Sequence, residues 1–241
     1  MLLLMVLSLI SDTAYVKKQL ITSDSLYQES YKDTVIFNEA EDILNSLLID
    51  SKILMDEILW RKSHFCFERG YALKKNSEKK EWFEKGEKLA GFAIEKNPNN
   101  AEAHFWFALN KASLGKINGV LSSLFMVGHL KEELKKVIEL DSSHAGAHML
   151  RGEIYKSLPG FAGGDKKKAI EEFKMSIAKD SLYSASYIAL AKIYKDVGDR
   201  EKAKEVLNEL LSFETSRDMR RFNLYEREDA RKLLQEIEEG R

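Results

Sequence analysis

Cysteine and proline are scarce in this chain, neither charge sign is in surplus, and each scarcity excludes something. Cys66 is the only cysteine in 241 residues, so an intrachain disulfide is impossible and the sequence sets no redox compartment. Pro98 and Pro159 are the only prolines, which leaves most of the chain open to long helices. Lys and Arg total 38 against 39 Asp and Glu, a net charge of -1, so the basic footprint of a nucleic-acid binder is missing. The apolar run Met1–Ile10 is shorter than the ~20 residues of a bilayer-spanning helix. No Ser/His/Asp or Cys/His set and no paired carboxylates stand at a spacing that assigns catalysis, and no cofactor is expected. Disorder is excluded as well, because 44% of the residues are hydrophobic and 32% charged. Cys66 itself, between Phe65 and Phe67 on an expected helix, reads as a packed core thiol.

What the chain does contain is a repeated hairpin pattern. From Ser184 to Leu211, Tyr187, Leu190, Ala191 and Tyr194 fall at helical spacing. Gly198-Asp199 breaks the pattern, and a second amphipathic run follows with Ala203, Leu207 and Leu210. This is the tetratricopeptide spacing, with a repeat of ~34 residues. One such hairpin cannot bury its apolar face alone, so further copies are expected. They are visible in Gly86, Ala90 and Ala93 before Pro98, and in Ala101–Gly115 with Leu130, Leu134 and Val137. A third copy pairs Ala145–Tyr155 with Ala169, Phe173 and Ser176.

Helical runs at about Val35–Leu48 and Ile53–Leu73 precede these copies, and a charged turn, KKNSEKKE, leads into Trp82–Lys96. The run from about Leu224 to Ile237 reads as a polar-backed cap. The expected fold is all-α: an α-solenoid of about four tetratricopeptide-like hairpins, with extra N-terminal helices and a C-terminal capping helix. Residues 1–14 read as an apolar leader, 15–33 as a polar linker of weak helical character and 34–241 as the repeat domain. Met1–Ile10 matches the apolar core of an export signal in length, although no Lys or Arg precedes it. Export is the favoured reading, with an amphipathic first helix packed on the repeats as the alternative.

Two insertions interrupt the repeats, KINGVLSSLFMVGH and, from Ser157 to Asp165, SLPGFAGGD. Insertions in repeat arrays gather on one face, often the binding face. Gly160, Gly163 and Gly164 permit backbone geometries closed to other residues, and Asp165 is placed to cap the next helix with Lys166, Lys167 and Lys168 behind it. A phosphate loop is excluded, since the Gly-Lys-Ser/Thr ending is missing and no strand precedes. His144 and His148 stand four apart, a spacing that can share a metal, but no third ligand is evident. His104 and His148 hold equivalent repeat positions and read as packing residues. Arg151 stands where the fourth repeat has Leu190, so it is expected either to snorkel to water beside Glu153 or Glu132 or to meet a ligand carboxylate. The family pattern places Glu102, Phe105, Leu109, Met149, Glu153, Lys156, Ile188, Lys192 and Lys195 on the inner stripe. Seven of these, with Arg151 and the loop residue Phe161, are the nine candidates for a partner or ligand surface: Phe105, Leu109, Met149, Arg151, Glu153, Lys156, Phe161, Lys192 and Lys195.

The repeats resemble the tetratricopeptide family over about Val35–Leu211. The co-chaperone members clamp a terminal carboxylate with Lys and Asn, but the matching positions here are Phe105, Leu109, Met149 and Glu153. A narrower likeness rests on AHFWFALNKASLG, on GEIYKSLPGFAGGDKKKAIEEF and on RFNLYEREDARKLLQEI. Together they resemble the periplasmic tetratricopeptide protein associated with TRAP transporters. That resemblance implies a non-catalytic, exported scaffold that docks a periplasmic solute-binding protein and holds a ligand in a central cavity. It implies no nucleic-acid partner, membrane contact only through a retained leader, and self-association as an open question. The residues alone leave a second reading, a cytosolic assembly scaffold with a peptide-binding groove.

Overall fold

The stretch Ser184–Leu211 folds as the hairpin its spacing dictates: α9 (Ser184–Asp196), a turn at Gly198-Asp199, then α10 (Arg200–Leu211). Gly198 takes a positive φ of 85°, and the Asp199 carboxylate accepts from the Lys202 amide to start α10. The computed structural model describes residues 2–240, with the side chains of residues 2–11 and 120–123 outside the description. In chain order the preceding helices are α1 (Leu2–Glu29), α2 (Thr34–Asp50), α3 (Met55–Ala72), α4 (Asn76–Lys96), α5 (Ala101–Asn118), α6 (Val120–Leu140), α7 (Ala145–Ser157) and α8 (Lys166–Lys179). A 3-10 turn, Gly160–Ala162, lies between α7 and α8. After α10 comes a short α11 (Met219–Arg221), which runs through a π-helical turn, Phe222–Glu226, into α12 (Arg227–Glu238). No strand occurs among the described residues, so the all-α expectation holds. The chain divides into two compact units, Met1–Met126 and Val127–Arg241.

The first unit is a stack of helical hairpins around aromatic packing. Val16, Leu20 and Tyr27 of α1 meet Phe37, Ala40, Leu44 and Leu47 of α2, with Ile58 and Phe65 of α3 closing the cluster. Residues 15–29, expected as part of a polar linker, are therefore helix, and that expectation is corrected. Val16, Leu20, Ser23, Tyr27 and Ser30 are buried at three- and four-residue intervals. Two of those five core-facing positions are serines, which makes the face look polar in sequence. Ser23 Oγ spends its proton on the Ala40 carbonyl at 2.8 Å, so its burial leaves no unsatisfied group. The expected charged turn before Trp82 is likewise the first turn and a half of α4. The leader reading of Met1–Ile10 falls on side chains outside the described residues.

Packing between α3 and α4 is close because glycine permits it. A Cβ on Gly70 would meet the Phe83 ring at 2.7 Å. Ser63 Oγ donates to the Gly86 carbonyl at 2.7 Å and accepts from the Asn110 amide at 3.0 Å, linking α3, α4 and α5. Cys66 is fully buried in α3, as the flanking phenylalanines implied.

In the second unit one continuous cluster joins Ala169 and Phe173 of α8, Tyr187, Leu190 and Ile193 of α9, Ala203, Leu207 and Leu210 of α10, and Leu233 and Ile237 of α12. The expected cap is thus present, bonded into the core rather than lying on it. Glu226, on the π-helical turn, is buried and accepts from Ser184 Oγ at 2.5 Å, and Ser184 also shares a bond with Ser216.

Two cations meet one buried carboxylate between α2 and α3. Glu41 accepts from Lys62 Nζ at 2.8 Å and from Arg69 Nε at 2.7 Å, while Lys62 also donates to Asn45. Burial disfavours the charged form of Glu41, but bonds and charge from Lys62 and Arg69 outweigh it and hold the carboxyl below its ordinary value. A lowered folded pKa contributes stability that is complete above the unfolded value, ~4.3, and is lost as pH falls through the folded one. Glu41→Ala, which strands the buried Lys62 ammonium, is expected to cost ~3–5 kcal/mol in urea unfolding at neutral pH. Glu41→Gln is expected to flatten the decline in stability between neutral and acidic pH relative to wild type. A variant as acid-sensitive as wild type would remove Glu41 from that role.

Candidate partner-binding surfaces

The loop after α7 is built to hold one side chain out. Pro159 fixes its own φ, and the 3-10 turn brings the Gly163 amide to the Gly160 carbonyl at 3.1 Å. Gly163 has a φ of 88°, and a Cβ on Gly164 would overlap the Leu158 carbonyl oxygen, so both positions require glycine. The Asp165 amide donates to the Tyr155 carbonyl at 2.9 Å, closing the loop onto α7. The Asp165 carboxylate accepts from the Lys167 and Lys168 amides at 2.9 and 3.1 Å, which is the helix cap anticipated from sequence. At the tip, Phe161 is 89% exposed. Lys166, Lys167 and Lys168 follow it, all exposed, and Lys131 Nζ lies 5.2 Å from the centre of the Tyr155 ring beside the loop.

The other candidate residues of this unit are engaged within the hairpins. Glu172 of α8 bridges two groups of α7: its carboxylate meets His148 Nδ1 at 2.8 Å and Arg151 Nη2 at 2.9 Å. Arg151 therefore pairs with Glu172 rather than with Glu153 or Glu132. The partner lies across the hairpin, at a separation in sequence that local spacing cannot reveal. His144 and His148 are not brought together on a metal: His144 caps α7 by accepting from the Ala147 amide at 3.1 Å, and His148 binds Glu172. Glu153 and Lys156 pair with each other at 2.9 Å. Lys195 reaches Glu236 of α12 at 2.7 Å, Met149 packs against the core cluster, and Lys192 is exposed.

In the first unit, Phe105 is only 4% exposed, edge-on to Trp106 at 5.3 Å, and is withdrawn from the surface. Leu109 is half-buried against the Phe67, Phe83 and Leu114 cluster. His104 Nε2 lies 3.0 Å from the Pro98 carbonyl oxygen, a polar bond where only packing was expected.

A second surface of this unit escaped the sequence reading. Between α1 and α2 lies an open groove of about 840 Å³, with Val16, Ile43 and Leu47 on its floor and Glu39, Asp42 and Asp50 on its rim beside Lys52. The three acids are exposed and make no ion pair among the described residues; Asp42 accepts only from the Asn45 side-chain amide at 3.3 Å. Its signal was present in the periodicity of α2, but recognising it required knowing that residues 12–29 form the opposing helix.

Residues 20–155 match the family of Regulator of microtubule dynamics protein 1-3, over more than half of the chain. The chain belongs to this family. Residues 184–216 match the tetratricopeptide repeat. Regulator of microtubule dynamics protein 3 of Rattus norvegicus is 24% identical over 181 residues, covering 67% of this chain and 38% of the rat protein. The Xenopus laevis protein 3 is 26% identical over 177 residues, 65% of this chain and 38% of its own length. Protein 2 of Rattus norvegicus is 27% identical over 198 residues, 73% and 48% respectively. The chain thus spans less than half the length of these relatives. Among solved structures, a MamA protein is similar at 19% identity and a TM-score of 0.44, covering 77% of this chain and 91% of MamA. A tetratricopeptide protein of Thermus thermophilus is similar at 19% identity and a TM-score of 0.47, covering 73% of this chain and 90% of its own.

Membership in the regulator family overturns two expectations. The narrower resemblance to the TRAP-associated protein is not upheld, and docking to a solute-binding protein goes with it. The periplasmic location rested on that resemblance and on the apolar run Met1–Ile10. It is corrected by a family whose matched relatives come from rat and frog, animals without a periplasm. The tetratricopeptide assignment stands.

Burial pushes the Cys66 thiol up to about 11. In the native chain it is expected to resist a thiol-disulfide reagent at mildly alkaline pH and to react once urea unfolds the protein; fast native labelling would contradict its burial. Gly164→Ala is expected to destabilise the chain by ~1–3 kcal/mol, since the Leu158 carbonyl must move to admit the methyl group. Thermal unfolding beside wild type checks this.

Proposed function

We propose that this chain is a non-catalytic, protein-binding module that acts on microtubule dynamics by contact, in the cytosol where tubulin resides. The match to the regulator family over residues 20–155 carries this reading. The way the polar side chains are used supports it. Glu41 is held by Lys62 and Arg69, and Glu172 by His148 and Arg151, so these buried and half-buried charges brace helices against one another. Helical hairpins so braced offer surfaces of fixed shape, which suits recognition of another protein. No metal or cofactor enters the proposed role.

Purified chain added to microtubules growing from stabilised seeds tests it directly. The expected result is a dose-dependent change in growth rate or catastrophe frequency, accompanied by co-pelleting with microtubules or binding to free tubulin. A chain that binds neither form of tubulin and leaves both rates unchanged overturns the proposal.

A further inference from the structure

We infer that copies of this chain associate, the Phe161 loop of one copy seated in the α1/α2 groove of another. The two surfaces complement each other in shape and in charge. The loop presents an aromatic side chain at 89% exposure on a backbone already fixed by Gly163, Gly164 and the Asp165 cap. An exposed phenylalanine on a mobile loop would lose ordering entropy on docking, whereas one held in place loses little. Aromatic anchors entering apolar recesses are the usual centres of binding energy at interfaces.

The groove supplies such a recess, its accessible apolar lining given by Tyr15, Leu26, Ile43 and Ile53 over the buried Val16 and Leu47. Its rim carries Glu39, Asp42 and Asp50 against one ammonium, Lys52, so acids outnumber bases, and none of the three acids is in an ion pair among the described residues. An acidic partner is repelled there, and a basic one is attracted. Directly behind Phe161 stand Lys166, Lys167 and Lys168 against the single Asp165. The chain therefore carries an apolar tip flanked by cations and an apolar floor flanked by anions. Because two different surfaces meet, the contact is heterologous rather than two-fold symmetric, and each copy offers one of each.

This asymmetry gives a decisive test on the full chain. Phe161→Ala combined with Lys167→Glu disables the loop, and Glu39→Lys combined with Asp42→Lys disables the groove. All four positions are exposed, and circular dichroism checks that each variant keeps the wild-type fold. Sedimentation equilibrium is expected to show wild-type mass rising with concentration and falling back as salt is added. Each variant alone is expected to associate at least about tenfold more weakly. An equimolar mixture of the two variants still contains one intact loop and one intact groove, so it should form a dimer and nothing larger. Wild-type chain that stays monomeric at every attainable concentration overturns the inference, whether its groove is empty, filled by its own loop or reserved for another protein. So does a folded variant that associates as wild type does, or a mixture that yields no dimer.

Discussion

Close approach of paired helices at small residues is the constraint on which both units depend. In the first unit Gly70 lies under the Phe83 ring, and in the second Gly152 lies under Phe173, where an added Cβ would come to 2.5 Å. The two sites use the same device: the first helix of a hairpin gives up a side chain, and an aromatic from the second helix fills the space. Helix axes brought this near bury Ala90, Ala93 and Ala169 completely, residues too small to bridge a wider gap. The alanine-rich faces are stabilising only because the glycines set the spacing.

Polar side chains follow from that geometry. Once apolar faces seal the hairpins, a buried charge must find its partner across a helix pair. Glu41 does so against Lys62 and Arg69, and Arg61 of α3 against Asp24 of α1 at 2.8 Å. These pairs fix how the helices are turned relative to one another, which hydrophobic contact alone leaves loosely specified. Two exposed features combine apolar and charged groups: an aromatic tip with lysines behind it, and a groove with carboxylates around it. Surfaces of this kind recognise shape and charge.

The helical class and the last hairpin were legible because their signals are short-range, as with Tyr187, Leu190, Gly198 and Leu207. The Asp165 cap and buried Cys66 were legible for the same reason. Residues 15–29 hid because Ser23 and Ser30 occupy core positions, and a serine's burial becomes sensible only when an acceptor such as the Ala40 carbonyl is in place. Arg151 was recognised as needing a partner, but Glu172 stands on the following helix beyond an irregular loop. The stripe of candidate residues was assigned by repeat position, and repeat position does not report that Phe105 turns into the core. The narrower family likeness rested most heavily on the short glycine-rich loop, whereas the family match is spread over residues 20–155. A loop can recur wherever a chain must turn tightly around a proline and two glycines, so it says little about ancestry.

The π-helical turn at Phe222–Glu226 has a consequence for how this chain tolerates length changes. Such a turn accommodates one residue more than an α-helix would over the same rise. Deleting a residue there would let the helix relax to regular geometry with the residues after it still facing the same way. Deleting one from the regular turn that follows, residues 227–230, would instead rotate everything after it by about 100°. Leu233 and Ile237 would then swing away from the core they now complete, and the charged back of the helix would turn inward. The surplus residue thus sits where its loss leaves the docking of the last helix in register, while the regular helix after it is sensitive to insertion and deletion far more than to substitution along its outer face.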